Sequence, residues 1–154
     1  MNMELPAVVR RMEAQERLAY LGLAIFFWVT GYLFWQVFFS EHRFESSHAA
    51  HVNKVAARFF LFFTAAAIWL KHRFRGVYVD ERDRAITHKG LEAGFALLGI
   101  LVVLASTVAG LKTYQDFFRL VPPIWLANCL LLCLGASLVV MSAVRVHAYW
   151  RDRR

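Results

Sequence analysis

The sequence has few of the residues and motifs on which enzymes and disulfide-stabilised proteins depend. It contains two cysteines, Cys129 and Cys133, which lie four positions apart inside one apolar stretch. On a helix this spacing places both on one face, where they do not reach the geometry of a normal disulfide. Gly-x-Ser-x-Gly and phosphate-binding Gly-Lys-Ser/Thr segments are also missing. These absences exclude a disulfide framework and two common catalytic signatures, and they predict a protein that is not an enzyme.

Histidine is missing from the interior of the apolar stretches, although the chain has six histidines. A transmembrane haem needs axial histidines inside the membrane, so we predict no haem and no other cofactor. In the polar segment 40–51, Glu41, Glu45 and His48 have helical spacings of four and three, and His48 and His51 form a further pair three apart, which would suit Zn²⁺ if the segment were helical. Ser46-Ser47 predicts a break there, so we expect a solvated loop with no metal and keep a metal site as the alternative.

Four long apolar stretches occupy most of the chain, at residues 18–39, 55–70, 91–111 and 121–144. About 20 apolar residues are needed to cross the hydrocarbon core of a bilayer. The connecting segments are too short for a separate soluble domain. The first stretch is also longer than the 7–15 apolar residues of a cleaved signal peptide. We therefore predict an all-α membrane protein, a single integral membrane domain over 1–154 with four transmembrane helices.

The basic residues are distributed unevenly around the stretches, and the net charge is +7. Of the 18 Lys and Arg residues, 13 lie before the first stretch, between the second and third, or after the fourth. Lys and Arg are retained on the cytoplasmic side during insertion. This predicts that both chain ends and the segment between the second and third stretches lie on the cytoplasmic side of the membrane. Contact with anionic headgroups then explains the basic charge, and no nucleic-acid partner is needed.

Small residues recur every four positions in the third and fourth stretches. They are Ala105, Ser106, Ala109 and Gly110 in the third stretch, and Cys129, Cys133 and Ser137 in the fourth. Small residues at this spacing let helix backbones approach closely in lipid. We therefore expect these two helices to form a tight antiparallel hairpin.

Two charged residues lie close to the ends of apolar stretches. Arg58 can extend its guanidinium to the outer headgroups, and Glu92 lies near the inner start of the third stretch. His88 precedes Glu92 by four residues and offers it a partner on the same helix face. We expect both to be interfacial. The alternative is a small oligomeric transporter or channel in which Glu92 or Arg58 lines the path.

The third helix is expected to begin before its apolar stretch. Asp80 suits the N-cap, and Asp83 places a second acid in the first turn, where the helix dipole favours it. The helix would then run from near Asp80 to Leu111. Gly90 lies inside this run and weakens it by about 1 kcal/mol, so a bend is expected there.

The charged segment that starts this helix permits two interpretations. Its candidate interaction residues are Asp80, Glu81, Arg82, Asp83 and Arg84. In the first interpretation, Asp80–Arg84 and Glu81–Arg84 pairs form a salt-bridge lattice that fixes the helix at the membrane surface. In the second, the segment is a docking surface for a cytoplasmic partner or another subunit, with Arg82 free to reach out.

The Asp-Glu-Arg-x-x-x-Ile pattern within 78–90, followed by an apolar helix, resembles a group of small bacterial and archaeal membrane proteins of unknown function. The resemblance implies membrane residence and a regulatory, export-linked or immunity-type role, and it supplies no catalytic residues. The sequence therefore predicts a non-enzymatic protein that acts by helix association, either as a homo-oligomer or within a larger membrane complex.

Overall fold

The computed structural model describes residues 5–73 and 81–152, which contain five α-helices. They are α1 (Leu5–Phe38), α2 (Ser46–Arg73), α3 (Glu81–Gly110), α4 (Lys112–Leu120) and α5 (Pro123–Arg151). Within the described residues, three segments are long and apolar enough to cross a membrane, namely Leu18–Phe38, α3 and α5. The predicted all-α architecture is confirmed for this part of the chain, whereas the count of four spans and their orientation stay predictions.

The third predicted helix is present with nearly the expected limits. It begins at Glu81, carries Glu81 and Asp83 in its first turn and ends at Gly110. The proposed cap, Asp80, lies outside the described residues. The helix is continuous through Gly90, which is buried against α5. The glycine therefore serves close packing between helices.

Two connections differ from their predictions. The segment between the last two apolar stretches is the helix α4, flanked by Leu111 and Val121 in extended conformation. The solvated loop expected over 40–51 ends at Glu45, because α2 begins at Ser46 and the Ala49 amide donates to the Glu45 carbonyl at 2.9 Å. The break between non-helical and helical chain thus lies directly before the predicted Ser46-Ser47. Serine is favoured at helix starts, which explains why this pair begins the helix.

Helix α5 lies at the centre of the assembly, and α1 runs antiparallel along it. The buried positions of α5 recur at intervals close to 3.5 residues, as in a coiled-coil seam. They include Trp125, Asn128, Gly135, Ser142 and Tyr149. A Cβ added at Gly22 would lie 3.7 Å from Ser142 Oγ, and one at Gly135 would lie 2.6 Å from Thr30 Oγ1. Small residues thus bring the two helix backbones together.

Helix α3 packs antiparallel on another side of α5, but only over its first half. Its buried residues are Asp83, Ile86, Gly90 and Gly94, whereas every residue from 102 to 110 is exposed. The predicted hairpin between these helices exists. Its predicted contact through Ser106 and Gly110 is wrong, because these residues lie beyond the packed half of α3.

Helix α2 runs parallel to α5 and packs on the side of α5 that α1 and α3 leave open. Asn128 Nδ2 donates to the Ala49 carbonyl oxygen at 2.9 Å, and Val52 and Ala56 pack with Leu33 of α1. Close packing of small and aliphatic side chains and an interhelical hydrogen bond thus join α2 to α1 and α5.

The two ends of the assembly differ in character. At one end Ala19, Ile86 and Tyr149 pack together, which joins α1, α3 and α5. At the other, Val37 packs with Trp125. We call these the basic end and the aromatic end. The first residues of α3 and the last residues of α5 meet at the basic end, where the sequence concentrates its Lys and Arg.

Candidate functional site where α3 meets α5

A buried hydrogen bond joins the start of α3 to the end of α5. The Tyr149 hydroxyl donates to Asp83 Oδ1 at 2.9 Å, and both residues are only 6% exposed. A carboxylate buried without a donor is costly, so this bond stabilises the packed arrangement of the two helices. Asp83 therefore acts as an internal anchor.

A second polar contact lies one residue earlier on α3 and is more exposed. Arg82 donates from Nε and Nη2 to Asp152 Oδ2, with both distances 2.9 Å. The interpretation that left Arg82 free to reach a partner is wrong, because the guanidinium is bound within the chain. A fork of this kind sets the orientation of the two helix ends better than a single bond would.

Two glycines let α3 approach α5 behind these contacts. A Cβ added at Gly90 would lie 2.6 Å from Arg145 Cγ and 2.9 Å from the Met141 carbonyl oxygen. One added at Gly94 would lie 3.1 Å from the Ser137 carbonyl oxygen. The stem of Arg145 thus lies across Gly90, and its Nε atom is buried without a hydrogen-bond partner among the described residues.

The rest of the charged segment points away from α5. Glu81, Arg84, His88 and Glu92 are exposed at helical spacings of three and four, and we call this stripe the charged face of α3. The predicted His88–Glu92 contact is present at 3.1 Å between Nδ1 and Oε1. Between the described residues Glu81 and Arg84, no ion pair within 4 Å forms. The Glu81–Arg84 pair of the predicted lattice is therefore absent, whereas the Asp80–Arg84 pair involves a residue outside the described part of the chain.

The two charges singled out near the apolar stretches are both on the surface. Arg58 and Glu92 are exposed, and neither faces the interior of the helix assembly. Burial identifies instead Glu16 and Asp83, which the sequence reasoning did not place inside. Helical phase could have revealed Asp83, because it shares its face with Ile86 and Gly90. Glu16 had no comparable signal.

Polar side chains also gather at the aromatic end. His48 Nε2 lies 3.0 Å from Gln36 Oε1 and 3.3 Å from Ser40 Oγ, while His42 Nδ1 lies 2.6 Å from Glu45 Oε1. The hydrogen bond to Glu45, followed by its negative charge, raises the pKa of His42 above its usual 6.5. Across the described residues no group of three or more His, Cys, Asp or Glu side chains could hold a metal ion.

Four aromatic rings pack beside these polar residues. Trp125 contacts Phe38, Phe44 and Phe117 with ring centroids 5.9–6.5 Å apart, and its Nε1 donates to the Val37 carbonyl oxygen at 3.2 Å. The cluster joins α1, the loop after it, α4 and α5. Such rings, apolar with a polar edge, suit the boundary between lipid and headgroups.

The contacts described at both ends join neighbouring helices and the loop between α1 and α2. Comparisons with known protein families, with curated proteins and with solved structures found no match to this chain. The functional argument therefore depends on the surfaces that the fold exposes.

Proposed function

We propose that this protein is a non-enzymatic, four-span protein of a bacterial or archaeal cytoplasmic membrane that acts by associating with itself or with a larger membrane complex. Three described helices have the length and composition of membrane spans, and α2 contains the remaining apolar stretch, 55–70. The proposed orientation has both chain ends in the cytoplasm. Its basic end then lies against anionic headgroups, each nearby charge contributing about 1 kcal/mol.

One observation carries the proposal of association, and it concerns the two halves of α3. In the first half, Gly90 and Gly94 lie against α5. In the second half, no heavy atom of a described neighbouring side chain or helix lies within 4 Å of a Cβ added at Gly99 or Gly110. At 100° per residue, Gly99, Ser106 and Gly110 lie on the face of α3 opposite to α5. Small residues there permit close approach of another helix.

The charged face of α3 supports a second contact, on the cytoplasmic side. Arg82 and Asp83 are bound within the chain, which leaves Glu81, Arg84 and His88 exposed on adjacent turns. We propose that this face docks a cytoplasmic partner or a neighbouring subunit. The resemblance of the segment to small membrane proteins extends the proposal to a regulatory, export-linked or immunity-type role.

Blue-native electrophoresis of the detergent-solubilised protein tests the association. Gly110→Leu places a bulky side chain on the face opposite to α5, where no intrachain contact is disturbed, so we expect the oligomer band to shift to the monomer. Val108→Phe adds similar bulk on the α5 side and should leave the oligomer unchanged. Ser137→Leu is unsuitable, since Ser137 is buried inside the chain. Unchanged migration of Gly110→Leu would contradict association through this face.

A further inference from the structure

The helix α4 has two chemically distinct sides and is not packed into the protein interior. Phe117 and Phe118 lie three and four residues after Tyr114, which places the three rings on one side. The polar residues Lys112, Thr113, Gln115, Asp116 and Arg119 occupy the remaining surface together with Leu120, the last residue of the helix, which is 85% exposed. None of its nine residues is buried. A helix with this pattern needs an apolar surface on one side and water on the other.

The position of α4 between two candidate spans fixes its depth relative to the membrane. It directly follows α3 and precedes α5, and both have the length and composition of membrane spans. Its ends are therefore held at the level where those spans leave the membrane. Phe117 contacts Phe44 and Trp125, so the apolar side of α4 is attached to the aromatic cluster at that boundary.

We propose that α4 is an interfacial helix that lies in the plane of the outer membrane surface and binds phospholipid along its apolar side. Tyr114 and Phe118 enter the boundary between headgroups and acyl chains, while Gln115 and Asp116 face water. Amphipathic helices bind in this way because each apolar side chain leaves water and the polar side keeps its hydration. Lys112 and Arg119 add favourable contact with headgroup phosphates.

This placement also explains why α3 and α5 separate toward the aromatic end. Nine helical residues span about 13 Å, which exceeds the 8–10 Å between the axes of packed helices. Lying flat, α4 holds the two spans apart, and lipid fills the wedge between them. The exposure of residues 102–110 is the expected consequence. The face of α3 opposite to α5 stays available to another helix.

Site-directed spin labelling of the full chain in phosphatidylethanolamine–phosphatidylglycerol vesicles tests the proposal. Single cysteines replace Tyr114, Phe118 or Gln115 in a background carrying Cys129→Ala and Cys133→Ala. Oxygen concentrates in the lipid and a nickel chelate in the water, so their collision rates report where each label lies. We expect Y114C and F118C to favour oxygen several-fold, and Q115C to favour the nickel chelate.

The inference rests on the proposed membrane residence. A label at L104C in α3 distinguishes failure of the placement of α4 from failure of membrane residence. If L104C is reached by oxygen but both sides of α4 are reached equally by the nickel chelate, α4 lies in water and the inference is overturned. If neither reagent reaches Y114C and F118C, a protein covers α4, which also overturns it. If L104C itself favours the nickel chelate, membrane residence fails.

Discussion

Individual contacts between α3 and α5 should differ in their contribution to stability, because their burial differs. The Asp83–Tyr149 bond is nearly inaccessible to solvent, so breaking it leaves a charged group without its donor. The Arg82–Asp152 pair is about one-third to two-fifths exposed, and water and salt can replace it. Neighbouring residues of one sequence motif thus have different energetic roles.

Tyr149→Phe should lower the free energy of unfolding by about 1–3 kcal/mol, since the ring still packs but Asp83 loses its donor. Arg82→Ala should lower it by less than about 1 kcal/mol, and added salt should reduce the difference further. Unfolding in mixed micelles, followed by circular dichroism, measures both. Equal losses in the two variants would contradict the assigned roles.

The two kinds of glycine in α3 give a matched comparison. Gly90→Ala should destabilise the protein by about 1–3 kcal/mol, because the added Cβ would approach the Met141 carbonyl oxygen to 2.9 Å. Gly99→Ala meets no such neighbour and should stabilise the helix by up to about 1 kcal/mol. Because Gly99 lies on the proposed association face, thermal unfolding of the two variants is compared in a detergent that keeps the protein monomeric. A loss at position 99 as large as that at 90 would refute the packing argument.

The loop before α2 should respond to pH through His42. Glu45 raises the pKa of His42 in the folded protein, so the favourable charge contact is complete below the ordinary value of 6.5. It is lost as the pH rises through the higher folded value. An NMR titration should show the pKa of His42 falling in Glu45→Gln, with His51 as an internal reference. An unchanged pKa would exclude this contact.

At the scale of elements, α3 combines two environments in one continuous helix. Its first half is anchored to α5 by the Asp83 bond and by two glycines, whereas its second half is exposed from residue 102. The sequence predicted where this helix begins and ends, because acidic first turns and apolar runs are local signals. It did not predict which small residues pack within the chain, since periodicity is the same for a neighbour in the chain, a second copy or lipid.

The elements at the aromatic end show the same limit. Pro123 begins α5, because proline fits the first turn of a helix. The helix α4 and the early start of α2 were missed, since short polar segments between apolar stretches resemble loops in composition. The sequence also did not predict the buried hydrogen bond from Asn128 to the Ala49 carbonyl oxygen, because that bond depends on α2 packing against α5 in one particular register.

At the scale of the whole molecule, the arrangement of helix directions yields a topology that can be tested. Segments α1 and α3 run from the basic end toward the aromatic end, and α5 returns. With the basic end in the cytoplasm, segment 39–45 and α4 lie outside. This orientation agrees with the distribution of Lys and Arg. It places one boundary between lipid and headgroups at the basic end and the other at the aromatic end.

Cysteine labelling of intact cells measures this topology. In the background without native cysteines, Ser47→Cys should react with a membrane-impermeant maleimide from outside. Arg84→Cys, which is equally exposed on the charged face of α3, should react only after the membrane is permeabilised. Labelling of Arg84→Cys in intact cells would reverse or remove the proposed orientation.

Hydropathy and charge, summed over long segments, determined the class of this protein from its sequence: helical, strongly apolar and asymmetric in Lys and Arg. These sums of hydropathy and charge do not depend on how the helices pack, so the sequence alone is enough to evaluate them. The partners of individual residues were decided only by tertiary structure. Whether Arg82 binds Asp152 or Glu81 binds Arg84 depends on which helix lies alongside α3 and at what register. Packing of α3 against α5 makes that choice, and it brings together two residues that are 70 positions apart in the chain.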